Sequence, residues 1–327
     1  MQKINWGIIG CGDVTELKSG PAFNKVKDSF LIAVMRRDAA RAADYARRHN
    51  VPIWYDDASK LINNPDVNAI YIATPPGSHE EYTLAAIKAG KPVYVEKPMA
   101  LNAASAEKMI QAAEAGNIKL VVAHYRRAHP MFNKIKDLLQ QGSIGLPVSV
   151  RLEYFTKAIA QGDLTIPKVA WRVNPAISGG GLFHDLAPHQ LGLMVYYFGN
   201  SITASGKSFN TGGLYTADDT VEGEIEFENN ITFTGHWNFN AIERKDECII
   251  TGSEGEMRFS VFGKQEIRIK AGNKETMIAF DPPQHVQQPL IEKVVQYFLG
   301  NGPNPCPPEE GYEVMKLMDI FTGGGKV

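Results

Sequence analysis

Five short, almost uninterrupted apolar runs set the character of the first 123 residues, at positions 4–9, 30–34, 69–72, 93–95 and 120–123. They are built largely from Val, Ile, Leu and Ala and are bounded by turn residues. Between them lie amphipathic stretches at 39–49, 79–89 and 103–115. A strand without polar alternation has to be covered on both faces, and intervening helices supply that cover. The pattern therefore predicts a doubly wound parallel sheet with helices on either side. Gly90-Lys91-Pro92 and Gly116-Asn117 stand where two of those helices should stop.

After residue 124 the pattern changes. A helix is expected at 130–141, followed by an alternating strand at 147–156. Alternation is clearest at 219–228, where Val221, Gly223, Ile225 and Phe227 share one face and Glu222, Glu224, Glu226 and Glu228 the other. Asn229-Asn230 then turns the chain into a strand at 231–240, giving a hairpin. Further strands are expected at 247–251, 257–262, 266–270 and 276–280. This is the signature of an α+β domain with an open, mostly antiparallel sheet. Two domains result, 1–123 and 124–327, within a 327-residue chain long enough for both, and the tail 321–327 reads as frayed.

Composition removes several function classes. A formal charge of −2 and the absence of a basic stripe argue against nucleic acid as a partner. No apolar run approaches the ~20 residues of a membrane span. The strand pattern starts directly after Met1, leaving no room for a secretory leader, and three scattered cysteines suit a reducing compartment. The expected location is the cytoplasm.

The first strand feeds Gly10-Cys11-Gly12-Asp13-Val14-Thr15. Glycines here let the chain turn sharply and bring backbone N–H groups against a pyrophosphate at the positive end of a helix. Thr15 occupies the place of the third fingerprint glycine. At the end of the second strand, Arg36 and Arg37 suit a ribose 2′-phosphate, which guanidinium groups grip bidentately, whereas Asp38 would suit a free 2′-hydroxyl. The expected cofactor is NADP, with NAD as the other choice. Cys11 reads as small-residue filler.

Glu96-Lys97-Pro98 follows a strand and so belongs to the carboxyl edge of the sheet, where open α/β folds bind ligands. A lysine there can polarise a substrate hydroxyl; the other reading makes it a surface residue. Asp185 and His189 are four apart and share one face of a helix, the spacing of a base and its orienting carboxylate. The alternative makes Asp185 the N-cap of a helix running to Phe198, with Pro188 in its first turn and His189 on the surface. The run Gly179-Gly180-Gly181 suggests a backbone passing close to a ligand or another chain. Tyr125, Arg126, Trp171 and Arg172 are candidate carbohydrate contacts, against core or solvated roles. His79, after Thr74-Pro75, either shapes the cofactor cleft or starts a helix. His184 and His189 are five apart, a poor spacing for one helical face, and no metal is expected.

In this order the pieces resemble the glucose–fructose oxidoreductase/inositol dehydrogenase (Gfo/Idh/MocA) family over nearly the whole chain. The resemblance rests on Gly7 to Gly12, on Ala73-Thr74-Pro75 with His79, and on Gly90-Lys91-Pro92-Val93 leading to Glu96-Lys97-Pro98. It continues through Arg126-Arg127 with Pro130, then Trp171-Arg172, and the glycine run with Asp185 and His189. Two departures stand out, Thr15 in the loop and Ala128 where an aromatic often follows the arginine pair. The resemblance implies a Rossmann domain and a second domain that forms a homodimer or homotetramer through its sheet. It implies a cis Lys97–Pro98 bond and a cofactor held by Gly10, Gly12, Asp13, Val14, Arg36, Arg37, Thr74, Pro75, His79, Glu96 and Lys97. It also implies His189 as proton acceptor, Asp185 as its orienter or the substrate's, and Lys97 as the ammonium on the reacting oxygen.

The expected activity is hydride transfer between a secondary hydroxyl of a sugar, cyclitol or related polyol and NAD(P). Three alternatives stand beside it. One is a redox-neutral glycoside-cleaving or epimerising enzyme with tightly bound NAD. Another is a non-catalytic nucleotide sensor, which need not keep Lys97, Asp185 and His189 together. The last is a reductase of aromatic or linear carbonyls, which would want fewer hydroxyl-binding groups than Arg126, Trp171 and Arg172 offer.

Overall fold

The structure is a computed structural model that describes residues 2–323. The chain divides into two compact units, Met1–Arg126 with Pro283–Tyr312, and Arg127–Pro282 with Glu313–Val327. The first unit takes back a segment from late in the chain, of which the strand–helix alternation of the opening residues gives no sign.

Six strands form its sheet: β1 (Ile4–Ile9), β2 (Ser29–Met35), β3 (Ile53–Tyr55), β4 (Ala69–Ile72), β5 (Val93–Val95) and β6 (Leu120–Val122). Their order is β3-β2-β1-β4-β5-β6 and every neighbouring pair is parallel. This is a Rossmann sheet, whose winding reverses between β1 and β4. Strands β4, β5 and β6 are buried at every position, as strands covered on both faces must be. Six helices intervene: α1 (Asp13–Leu17), α2 (Gly20–Phe23), α3 (Ala39–His49), α4 (Ala58–Ile62), α5 (His79–Lys88) and α6 (Ala103–Ala115). The amphipathic stretches became α3, α5 and α6. The sequence reading passed over β3 because it is a three-residue edge strand with Trp54 44% exposed, too short to show a period.

The second unit holds α7 (Pro130–Gln140), β7 (Pro147–Lys157), α8 (Pro167–Ala170), α9 (Pro175–Ser178) and α10 (Leu182–Phe198). Seven more strands follow: β8 (Ser201–Phe209), β9 (Thr220–Phe227), β10 (Ile231–Ala241), β11 (Lys245–Gly252), β12 (Gly255–Phe259), β13 (Glu266–Ala271) and β14 (Lys274–Ala279). They form one eight-stranded sheet, β14-β13-β12-β11-β7-β10-β9-β8, antiparallel except where β7 and β10 run parallel. In β9, Val221, Ile225 and Phe227 are buried while the glutamates between them are not, as alternation requires. Asn229 and Asn230 both take positive φ at the β9–β10 turn, a conformation asparagine tolerates better than most residues. The edge strand β8 was not anticipated; its small and polar residues, mostly exposed, carry no apolar face.

Two helices close the chain, α11 (Gln288–Leu299) and α12 (Pro308–Phe321). In the first unit, Trp6 packs against Phe298 with ring centroids 5.6 Å apart. The expectation of a frayed tail is corrected at Phe321, which ends α12 fully buried. Its ring lies 6.1 Å from that of Trp237 and fills the space that side chains on Gly206 and Gly223 would need. Residues 324–327 of that tail lie outside the described residues.

Candidate active site

In the first unit, β1 ends at the point where the winding reverses, and the turn after it meets the segment after β4. Gly10 has φ +95°, and a Cβ there would sit 2.8 Å from Thr74 N and Cγ2, so only glycine fits. Gly12 differs. It is the N-cap of α1 with φ −129°, and a Cβ on it would find no atom within 4 Å. The turn thus leaves an open cradle over Gly12, in front of the first N–H groups of α1, Asp13 and Val14, which have no acceptor inside the helix. Thr15 is fully buried. Its hydroxyl donates to the Gly12 carbonyl at 2.8 Å, and its own carbonyl accepts from Tyr45 Oη at 2.8 Å. The close approach expected of a third loop glycine is made instead by Gly20, where a Cβ would overlap the Thr15 carbonyl. Burial pushes the Cys11 thiol up to about 11, which leaves it inert.

Beyond β2, half-buried Arg36 donates through Nη1 to the Cys11 carbonyl at 3.1 Å, while Arg37 is exposed. Asp38 is committed elsewhere: its carboxylate caps α3 by accepting the Arg41 N–H at 3.1 Å. A cleft of about 320 Å3 opens beside Arg37, with Met35, Ala58, Ile62, Tyr82 and Ala85 among its walls. Pro75 is exposed, and the Ser78 hydroxyl donates to Thr74 Oγ1 at 2.8 Å. His79 starts α5 fully buried, its ring nitrogens 2.8 Å and 2.9 Å from the carbonyl oxygens of Thr74 and Pro98. Burial holds its pKa below the ordinary histidine value. It braces the two loops and has no face toward solvent.

At the carboxyl edge of β5 the Lys97–Pro98 peptide is cis. Glu96 is 5% exposed, and its Oε1 accepts from Tyr71 Oη and Gln287 Nε2, each at 2.5 Å. The carboxylate turns into the protein, where sequence reasoning had assigned it to the cofactor.

In the second unit, α10 carries both Asp185 and His189, one turn apart. Its N-cap is Gly181 with φ +84°, four residues before the alternative cap at Asp185. Pro188 therefore lies inside the helix rather than in its first turn, and His189 is buried at 6% exposure rather than on the surface. The glycine run is accounted for by the chain's own packing. A Cβ on Gly180 would overlap the His184 ring, and one on Gly181 would sit 2.5 Å from Ala217 Cβ. Asp185 accepts from Arg172 Nε at 2.9 Å, and the Arg172 guanidinium lies 4.5 Å from the Trp171 ring. The adjacent pair Trp171 and Arg172 is thus assembled with Asp185, thirteen residues beyond Arg172, into one half-buried group. The His189 ring stands edge-on to Phe262, centroids 5.6 Å apart. His184, on the same helix, is held neutral by burial with its pKa down at about 4.

Comparison with known proteins decides the class. Residues 4–124 match the profile described as an oxidoreductase family with an NAD-binding Rossmann fold, and residues 132–258 match the GFO/IDH/MocA C-terminal domain. The chain belongs to the Gfo/Idh/MocA family. This Gfo/Idh/MocA oxidoreductase is 47% identical over 325 residues to Oxidoreductase P35 of Formosa agariphila, covering 98% of this chain and 99% of that one. It is 30% identical over 259 residues to the trans-1,2-dihydrobenzene-1,2-diol dehydrogenase of Oryctolagus cuniculus, covering 77% and 72%. In fold it resembles levoglucosan dehydrogenase solved with NADH and levoglucosan, with a TM-score of 0.85 over 98% of this chain and 96% of that one at 23% identity.

Of the remaining candidate contacts in this Gfo/Idh/MocA oxidoreductase, Tyr125 is buried at 5% exposure, with the Arg126 guanidinium 5.7 Å from its ring. Among the described residues no group of three His, Cys, Asp or Glu side chains comes together as a metal site, and no helix is long and apolar enough to cross a membrane. Sequence reasoning missed Tyr71 and Gln287. Both reach Glu96 from far along the chain, and neither sits in a local motif.

Proposed function

We propose that this oxidoreductase transfers a hydride between a secondary ring hydroxyl of a sugar, cyclitol or related polyol and NADP. The observation that carries the reading is on α10: an Asp185 carboxylate fixed by Arg172 at 2.9 Å, one turn from a buried imidazole at His189. A carboxylate gripped by a guanidinium is held in one orientation, and a buried imidazole is a base shielded from bulk water.

The first unit fits a dinucleotide. The cradle over Gly12 and the N–H groups of Asp13 and Val14 would take the pyrophosphate, with Gly10 shaping the turn and Thr74 and Pro75 forming its neighbouring wall, held in place by His79 behind them. The cleft beside Arg37, walled by apolar Met35, Ala58, Ile62 and Tyr82 together with acidic Asp56, Asp57 and Glu81, would take the adenine. Arg36 and Arg37 would face the 2′-phosphate. NADP is favoured because Asp38, the carboxylate at the end of β2, already accepts the Arg41 N–H as a helix cap, while Arg36 and Arg37 stand beside it. When bound, the nicotinamide supplies the two-electron acceptor for the carbon-bound hydrogen.

The chain's own residues manage the proton. In the oxidative direction His189 takes the hydroxyl proton as the C–H bond breaks. The Lys97 ammonium donates a hydrogen bond to the same oxygen and steadies the charge that develops on it. Asp185 orients His189 or a neighbouring substrate hydroxyl, while Trp171, Arg172, Tyr125 and Arg126 shape the sugar side by stacking and hydrogen bonding. Assembly through the sheet of the second unit, as a homodimer or homotetramer, is part of the same proposal. Light scattering on the purified protein tests this, and a monomer would refute it.

The experiment that tests the activity is a panel of polyols and aldoses with NADP and NAD, followed at the nicotinamide absorbance band. Turnover of a cyclic polyol, faster with NADP, is expected. Cofactor binding without turnover of any member would overturn the reading.

A further inference from the structure

We propose that Gln287, with Tyr71, is a positioning residue: it holds the Glu96 carboxylate, which in turn fixes the main chain of Lys97. This rests on the reading that the Lys97 ammonium serves the reacting oxygen. Gln287 opens the return segment of the first unit, immediately before α11, and lies outside both family matches.

The geometry is a relay of buried polar groups. Glu96 continues the β5 ladder, its N–H donating to the Ile72 carbonyl at 2.9 Å. Residues two apart on a strand share a face, so Glu96 follows Tyr94 into the covered layer. One carboxylate oxygen, Oε1, takes two donors at 2.5 Å, the Tyr71 hydroxyl and the Gln287 amide. The other, Oε2, accepts the backbone N–H of Lys97 at 3.3 Å. Gln287 is fully buried and works in both directions. Its carbonyl oxygen accepts from Tyr94 Oη at 3.3 Å and lies 3.4 Å from Tyr71 Oη, whose one proton goes to Glu96, while its backbone N–H reaches the Lys18 carbonyl at 3.3 Å.

An amide suits this place because it offers a donor to the carboxylate and an acceptor to the Tyr94 phenol at once. Burial and the charge of Glu96 keep the Tyr71 phenol far above its ordinary pKa, so it remains a donor. The surrounding layer is otherwise aromatic, with Phe23 and Tyr94 against Tyr71, and a residue needed only to fill space there would be apolar. A buried carboxylate stripped of its donors re-orients toward whatever donor or water remains, and the Lys97 N–H then loses its acceptor. The same network joins the end of α1 to the lysine, since Ser19 Oγ lies 3.1 Å from Tyr71 Oη.

The test uses the full chain with Gln287→Glu, Gln287→Leu and Tyr71→Phe, saturated with NADP. A protonated glutamic acid at 287 donates to Glu96 as the amide does, and an ionised one repels it. Turnover of Gln287→Glu should match the wild type within about twofold at acid pH and fall about tenfold as the pair ionises. Gln287→Leu should be down about tenfold at every pH, with substrate KM moved less than about threefold. Hydrogen exchange at the Lys97 amide, read by mass spectrometry on peptides spanning 95–99, provides a measure independent of activity. Relative to wild type at the same pH it should speed up about tenfold in Gln287→Leu, and in Gln287→Glu only at the higher pH. Tyr71→Phe, which removes one donor at constant shape, should speed it in the same sense and serves if the 287 variants fail to fold. Unchanged exchange in the variants overturns the inference, as does a Gln287→Glu pH profile that parallels the wild type. A wild type that turns over no substrate would instead defeat the proposed reaction, and the exchange data would still decide the positioning role.

Discussion

Two glycines two residues apart in one turn should respond to alanine in opposite ways. Gly10→Ala forces a side chain onto φ +95° and drives its Cβ to 2.8 Å from Thr74 N and Cγ2. Backbone strain of about 1–3 kcal/mol and a comparable overpacking cost give roughly 2–5 kcal/mol of lost stability. For a domain of this size that lowers Tm by about 5–15 °C. Gly12→Ala meets neither penalty, because φ −129° suits any residue and the added methyl touches nothing in the protein. Stability should hold, or rise by about 0.5 kcal/mol from reduced freedom in the unfolded chain. The methyl would, however, stand where the pyrophosphate must approach, so NADPH affinity should fall about 10- to 100-fold. Thermal unfolding by circular dichroism and titration of NADPH fluorescence measure the two effects separately. NADPH binding unchanged in Gly12→Ala would refute the placement of the cofactor over this turn. An unchanged Tm in Gly10→Ala would refute the structural reading of its φ and its contact with Thr74.

Other outcomes follow from the same coordinates. His189→Ala should cut turnover about 10²- to 10⁴-fold with NADPH affinity intact, and full activity on an identified substrate would remove His189 as the base. Arg36→Asp should weaken NADPH about 10- to 100-fold while sparing NADH, measured by paired fluorescence titrations; equal losses would mean that the arginine only braces the Cys11 carbonyl. His184 titrates at about 4 when folded and 6.5 ordinarily, so the unfolded chain takes up the extra proton between those values. Stability is therefore complete above pH 6.5 and drains as pH falls toward 4, by roughly 3 kcal/mol at most. Urea midpoints at pH 7 and 4.5 should converge more closely in His184→Leu than in the wild type, and parallel behaviour would contradict the shift.

The strand–helix alternation of the first 123 residues was enough to read the parallel sheet, because strands buried on both faces leave an apolar imprint that needs no context. Elements without such an imprint were not legible. The edge strand at 53–55 is too short for a period, and β8 is too polar for one. The helices at 288–299 and 308–321 come late in the chain, and no local motif ties their first residues to the opening sheet. At the candidate site, the spacing of Asp185 and His189 carried their shared helical face. The helix start did not come from spacing, because a glycine at φ +84° replaced the expected Asp cap. The Arg172–Asp185 pair was hidden by the irregular segment between α8 and α10. The surroundings of Glu96 were hidden because a tripeptide cannot reveal that its Oε1 faces Tyr71 and a glutamine 191 residues downstream.

Phe321 has a practical bearing on how the protein can be handled. Across β8 and β9, Gly206 and Gly223 are register partners, and the backbone they bare is roofed by that single ring. Losing that ring would bare a strip of sheet face without side chains beside Trp237, and the void would cost about 3–5 kcal/mol. Trimming that removes the phenylalanine should therefore cost the second unit much of its stability.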